Sequence, residues 1–219
     1  MFENVHWIGH ASFYLEASGI VIYIDPFRVS NAVASEKADL ILITHAHFDH
    51  FSKEDIEKIR DSNTQIIAST QTLQEGGSIR IATPGFKHNF NGVKIEAVPA
   101  YNIAKERLAF HPKENNWVGY VIEADGMRIY HAGDTDFIPE MKDLKDIDLA
   151  LIPIGGTYTM DVDEAITAAK SIDARSITPM HYKNLLGRDG SAKAEQKFAK
   201  GVKNALIMKE VQEPTYSFK

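Results

Sequence analysis

The chain has no cysteine among its 219 residues. That excludes a disulfide framework, a thiolate metal ligand and a cysteine nucleophile, so any metal site must be built from histidine and carboxylate. No apolar run approaches the length needed to span a bilayer. The N-terminus, Met-Phe-Glu-Asn-Val-His, lacks the basic stretch and apolar core of a secretory signal. A basic stripe is missing too: 24 Lys and Arg face 30 Asp and Glu, for a net charge of −6. Nothing in that balance would neutralise a nucleic-acid backbone. These absences predict a soluble, cytoplasmic protein acting on a small-molecule substrate, with neither nucleic acid nor membrane as partner. Strand and helix signals run on without a linker, so residues 1–219 are expected to form one domain.

What is present is concentrated between residues 40 and 50. Leu-Ile-Leu-Ile at 40–43 is too short for a helix and reads as a buried strand. Beyond Thr44 come His45, His47, Asp49 and His50. An extended chain alternates its side chains, so His45 and His47 can share one side. A turn then brings Asp49 and His50 to a neighbouring point. Two imidazoles at one point, with a carboxylate and an imidazole at the next, make half of a dinuclear site for zinc or a similar divalent ion. Clustered imidazoles repel when protonated and strand polar atoms when buried, so a fold without a ligand for them would avoid the cluster.

Around this stretch, strands are expected at residues 5–8, 13–16, 20–24, 65–69, 79–82, 93–98, 117–123, 127–131, 149–152, 176–178 and 205–208. Ser52 opens a helix ending near Asp61, and Asp161 opens another running to about Ser171. Residues 70–75 suggest a helical turn, 191–200 a third helix, and the tail after Glu210 an irregular end. Strands first, then strands alternating with helices, predict an α+β fold of two mixed sheets stacked face to face. Asp25 ends a strand before Pro26, as a turn former or as an acceptor that orients a ligand histidine. Residues 100–116 are long, charged and poorly patterned. They read as a solvated surface loop or as a lid, whose Lys105, Arg107 and Lys113 would suit a phosphate or carboxylate.

His45-Ala-His47-Phe-Asp49-His50 resembles the HxHxDH signature of the metallo-β-lactamase superfamily. Tyr130-His131-Ala132-Gly133-Asp134-Thr135 is similar to the Gly-Asp that supplies its bridging aspartate. Pro179-Met180-His181-Tyr182 is similar to its late ligand histidine. Trp7-Ile8-Gly9-His10-Ala11-Ser12 and Tyr23-Ile24-Asp25-Pro26 resemble the branch of ascorbate-6-phosphate lactonase-like metal-dependent hydrolases.

The resemblance implies a four-layer αββα sandwich. It assigns His45 and His47 to a first ion, and Asp49, His50 and His181 to a second, with Asp134 bridging both. It favours Asp25 as an orienting acceptor and His10 as a residue lining the pocket; His131, on the strand before the turn that carries Asp134, reads as structural. The superfamily's third histidine for the first ion is expected after the strand at 93–98, where this chain has Pro99-Ala100-Tyr101-Asn102. His111 or Tyr101 would fill that gap, as ligand or substrate contact, with His88 a weaker candidate and water or substrate the remaining option. One or two divalent ions are implied, zinc first, with manganese or iron as alternatives. A metal-bound hydroxide would attack a small-molecule lactone, ester or phosphodiester, with Asp49 holding or receiving the proton. A di-iron redox protein and a non-catalytic metal binder on the same fold are the competing expectations.

Overall fold

The computed structural model describes residues 2–69 and 79–218; the helical turn expected at residues 70–75 lies outside them. Two mixed six-stranded sheets form from consecutive strands. The first runs in the order β1 (Val5–Gly9), β2 (Ser12–Ala17), β3 (Ile20–Ile24), β4 (Leu40–Ile43), β5 (Gln65–Ala68) and β6 (Ile79–Ile81). Its first three strands are antiparallel and the rest parallel. The second comprises β7 (Lys87–Phe90), β8 (Val93–Pro99), β9 (Val118–Ala124), β10 (Met127–His131), β11 (Ile147–Pro153) and β12 (Ala174–Met180), again in sequence order. Strands β7 to β10 are antiparallel, and β10 to β12 parallel.

Alternation along the first sheet decides the layering. Ile22, Ile24, Leu40, Leu42 and Ile67 pack with Ile95, Tyr120 and Ile122 of the second sheet. The intervening Tyr23, Ile41, Ile43, Ile66 and Ala68 instead meet Ile56 and Ile59 of α1 (Lys53–Ile59). Strand β4 is thus buried on both faces, which is why it reads as an unbroken apolar run. On the second sheet, α2 (Val162–Ser171) contributes Ala165, Ala168 and Ala169 to the core, and α3 (Lys183–Gly201) contributes Phe198. The result is the expected α+β sandwich. Ser52 and Asp161 cap α1 and α2, accepting from Asp55 N and Glu164 N.

Three elements differ from the sequence reading. The third helix begins at Lys183, well before the expected start, and is broken at Gly187 (φ 66°, ψ −177°). Gly187, Asp189 and Gly190 depress helix propensity and hide its first turns in the sequence. Strand β7 pairs with β8, but its Lys-His-Asn-Phe is too polar to read as a strand. Residues 205–208 make no strand: Ala205 forms a lone bridge to Ile177. Strand β12 passes through Pro179 without interruption because it lies at the edge of its sheet, where a missing N–H is tolerated. Among the described residues, no helix is long and apolar enough to cross a membrane.

Candidate metal centre

The C-terminal ends of β4, β10 and β12 and the loops beside them meet in one cluster. Strand β4 ends at Ile43 and hands over to Thr44 and His45. His47 O then accepts from His50 N and Phe51 N at 3.0 and 2.8 Å, closing the turn that presents Asp49 and His50. The capped start of α1 fixes the far side of that turn.

From the second sheet, β10 delivers Asp134 and β12 delivers His181. Gly133 makes the first delivery possible. Its φ is +64°, and a Cβ there would lie 2.9 Å from Val118 O and 3.1 Å from Thr44 Cβ. The Gly133→Ala variant is therefore expected to lose about 1–3 kcal/mol of stability, read by urea unfolding.

Asp134 Oδ2 is the meeting point. It lies 3.1 Å from His181 Nε2, 3.3 Å from His111 Nε2, 3.4 Å from His50 Nε2 and 3.8 Å from His45 Nε2. Three groups of potential ligand atoms converge within 4.8 Å of one another: His45, His47 and His111; His10, Asp49, His50 and His181; and His45, His50 and Asp134. His111 thus stands beside His45 and His47, where no histidine follows β8. Loop closure brings it there: Asn102 N donates to His111 O at 2.8 Å, and His111 Nδ1 lies 2.7 Å from Asn102 Oδ1.

Tyr101 has other partners: its hydroxyl lies 3.0 Å from both carboxylate oxygens of Glu140 and accepts from Lys113 Nζ at 3.0 Å. Of the two candidates for the gap, it is His111 that lies with His45 and His47. His88 bonds Gln65 Oε1 at 3.0 Å, away from the cluster. His131 is satisfied on both ring nitrogens, by Ala11 O and Gly133 N. Arg107 sits with Asp136 and Glu164 at 2.7 and 2.6 Å. It braces the 101–111 segment, and Ile103 N and Ala104 N donate to the same Asp136 carboxylate at 2.8 Å.

Asp25 supports both halves of the cluster. Fully buried, it accepts from Thr44 N at 2.8 Å and from Thr44 Oγ1 at 2.6 Å, and it lies 2.7 Å from His50 Nδ1. Thr44 Oγ1, its proton given to Asp25, lies 2.9 Å from His45 Nδ1. These bonds place a proton on Nδ1 of both His45 and His50 and leave both Nε2 atoms facing Asp134. His10 does comparable work for Asp49: its Nε2 is 2.9 Å from Asp49 Oδ2, and its ring centroid is 3.8 Å from that of His181. His10, Asp25 and His181 all hold left-handed backbone (φ 52°, 46° and 59°), and His181 N donates to His10 O at 3.0 Å. Such conformations cost on the order of 1 kcal/mol each and persist where the surroundings fix them.

Burial, and then repulsion from His50, hold His45 neutral; burial and His111 do the same for His47. His10 is pushed down to about 3 by burial and by His181. Burial opposes charge on His50 as well, but Asp134 and Asp25 outweigh it and keep that ring protonated. Burial likewise opposes charge on Asp134, and His181 and His50 override it to keep the carboxylate ionised. Neutral His45 and His47 and the ionised Asp134 carboxylate are in the forms a cation requires, and a cation bound there would displace the second proton of His50. Among the described residues, the buried His50 Nε2, His111 Nε2, His181 Nε2 and Asp134 Oδ1 have no hydrogen-bond partner. Close approach without alignment costs free energy unless something sits between the groups. The donor set fits divalent ions.

Four side chains at the mouth escaped the sequence reading. A cavity of about 320 Å³ has His47, Asp49, His111, Asp134 and His181 at its floor and Phe48, Phe110, Tyr158 and Phe218 as walls. Phe48 is an unspecified position within the metal motif and no motif marks the other three, which come from separate loops and from the tail.

The profile of the beta-lactamase superfamily domain matches residues 4–181. A UPF0173 metal-dependent hydrolase of Thermococcus onnurineus is 39% identical over 194 residues, covering 82% of this chain and 84% of that protein. One from Thermoplasma volcanium is 34% identical, covering 96% and 97%. Among solved structures, a candidate metal-dependent hydrolase from Parabacteroides distasonis superposes with a TM-score of 0.81 at 36% identity, covering 94% of this chain and 92% of that one. Igni18, a metallo hydrolase from Ignicoccus hospitalis, superposes at 0.76 with 27% identity, over 98% of both.

Proposed function

The chain belongs to the beta-lactamase superfamily, among its UPF0173 metal-dependent hydrolases, and from that premise we propose a site assignment and a reaction. His45, His47 and His111 would hold one divalent ion, Asp49, His50 and His181 a second, and Asp134, which all four nearest imidazoles face, would serve both. The reaction is hydrolysis of a small-molecule lactone, ester or phosphodiester. The observation that carries this reading is the convergence of buried, unpartnered ligand atoms from both sheets on Asp134.

Ions bound there supply Lewis acidity and a water that ionises near neutral pH. The protein does the rest. Asp25, through Thr44 and directly, aims one imidazole of each trio. His111 ties the loop beyond β8 to the turn beyond β4. Asp49 lies on the cavity floor with its carboxylate steadied by His10, placed to hold the proton that water gives up. His10 stays neutral and acts as a donor. The aromatic walls exclude bulk water, which strengthens every charge interaction at the floor. Zinc is the first choice for this nitrogen and oxygen set; manganese and iron accept it too. The acidic composition favours a cytoplasmic enzyme of small molecules over one acting on nucleic acid or at a membrane.

Metal analysis of the purified protein, with hydrolysis of bis-p-nitrophenyl phosphate and a lactone panel before and after chelation, tests the assignment. Activity should vanish with chelator and return with zinc or manganese. His111→Ala should lose metal content as His47→Ala does, while Tyr101→Phe keeps it. Full activity in chelated protein or in His47→Ala would refute the mechanism. Iron with a visible absorption band would transfer the site to redox chemistry.

A further inference from the structure

The cavity above the ligand cluster has walls as informative as its floor. Phe48 is 67% exposed, an uncommon state for a phenylalanine held on an ordered turn. Its ring centroid lies 6.0 Å from those of Phe27 and Phe218. Phe110 and Tyr158 form a second pair, edge to face at 4.8 Å. Ile103 and Leu108, on the same segment as Phe110, are also about half exposed, at 51% and 47%.

Phe218 arrives by a built route. Ser217 O accepts from Arg28 Nη1 at 2.7 Å and from Asn184 Nδ2 at 3.2 Å. Thr215 Oγ1 accepts from Asn184 Nδ2 at 3.0 Å. Gln212 donates to Arg28 O and accepts from Ser30 N. The irregular tail is therefore fastened to the loop after β3 and to α3, and sets its last described ring, 5.4 Å from that of His10, into the wall.

Lysine and arginine are absent from the lining among the described residues. Of the three cations of the 100–116 segment that would suit an anionic substrate, Arg107 is engaged by Asp136 and Glu164 and Lys113 by Glu140 and Tyr101, and Lys105 does not line the cavity. Ions at the floor would attract charge at the reacting centre, but a phosphate or carboxylate placed further out on a substrate would meet aromatic carbon and lose its hydration without a partner. A larger cavity, about 520 Å³, lies among Lys87, Glu96 and Arg128 on the second sheet and contains none of the clustered groups.

We propose that the substrate is an uncharged carboxylic ester or lactone bearing an apolar group of aromatic size, which Phe48, Phe110, Tyr158 and Phe218 enclose. This rests on the hydrolase reading above and narrows it. Water adds across the ester C–O bond, giving a carboxylate, an alcohol and one proton, with no change of oxidation state. Phe218 is a specificity residue supplied by the tail.

Two measurements test the proposal apart from the hydrolase reading. The first compares kcat/KM for the p-nitrophenyl esters of acetate, hexanoate, phenylacetate and succinate in metal-loaded protein. Hexanoate and phenylacetate should exceed acetate by at least about tenfold, and the succinate half-ester should fall below acetate. Phe218→Ala should shrink the phenylacetate-to-acetate ratio by about tenfold. Equal rates, or a preference for the succinate ester, would overturn the substrate class while leaving the hydrolase reading intact. The second follows phenylacetanilide, an amide that mimics the ester, binding to chelator-treated protein by isothermal titration. Binding that weakens in Phe218→Ala and Phe48→Ala supports the walls. No binding, or binding that ignores both substitutions, overturns them even if every ester is cleaved. Binding without any hydrolysis would overturn the hydrolase reading and keep the pocket.

Discussion

Asp134→Ala is expected to lower kcat/KM by at least about a thousandfold, roughly 4 kcal/mol of transition-state stabilisation. The carboxylate lies within 3.1–3.8 Å of four imidazoles from three different parts of the chain. It is the one group the proposed assignment shares between ions, so its removal should damage both. Stability reports the same loss independently. Ions that bind only the folded chain at a thousand times their Kd stabilise it by about 4 kcal/mol. Zinc should therefore raise the melting temperature of the chelated wild-type protein by several degrees and that of Asp134→Ala by almost nothing. A variant that still gains the full thermal shift would show that the ions bind without Asp134.

Asp25→Ala is expected to be the most destabilising change near the site, at about 3–5 kcal/mol, read by denaturant titration. The carboxylate is fully buried and satisfies Thr44 N, Thr44 Oγ1 and His50 Nδ1. Truncation strands those donors, each costing about 1–3 kcal/mol when buried and unpaired. Alanine also suits the left-handed backbone at position 25 poorly (φ 46°). Asp25→Asn separates the effects, because asparagine tolerates that backbone and keeps the oxygen that accepts from Thr44 N. Its amide, however, presents hydrogens where Thr44 and His50 also donate. Metal affinity should fall about 10- to 100-fold in Asp25→Asn with a smaller stability loss than in alanine. Equal metal affinity in Asp25→Asn and wild type would remove Asp25 from the support of the site.

The contrast between legible and hidden parts follows the range of the determining interactions. His45, His47, Asp49 and His50 could be read because one strand end and one turn place all four, and local geometry is written in adjacent residues. Asp25 was readable as a strand end, but its bonds to Thr44 and His50 depend on β3 lying beside β4. His111 stood apart from any strand signal. Its position is set by closure on Asn102 and by Asp136 gathering the loop, and these are contacts between loops. The charges of that loop suggested substrate recognition, whereas Arg107 turns inward to Asp136 and Glu164. The aromatic walls were invisible because the rings at positions 48, 110, 158 and 218 share no period and meet only in the folded chain.

The strand order of the two sheets bears on how the protein assembles. Each sheet grows by adding the next strand in the chain, so the N-terminal and C-terminal halves can each condense from near neighbours. The turn after β4 belongs to the first half; His111, Asp134 and His181 belong to the second. High-affinity metal uptake should then be a late event in refolding, marking the moment the halves dock. Ions held as proposed would act as rivets between the two halves and should slow their parting more than the unravelling of either half.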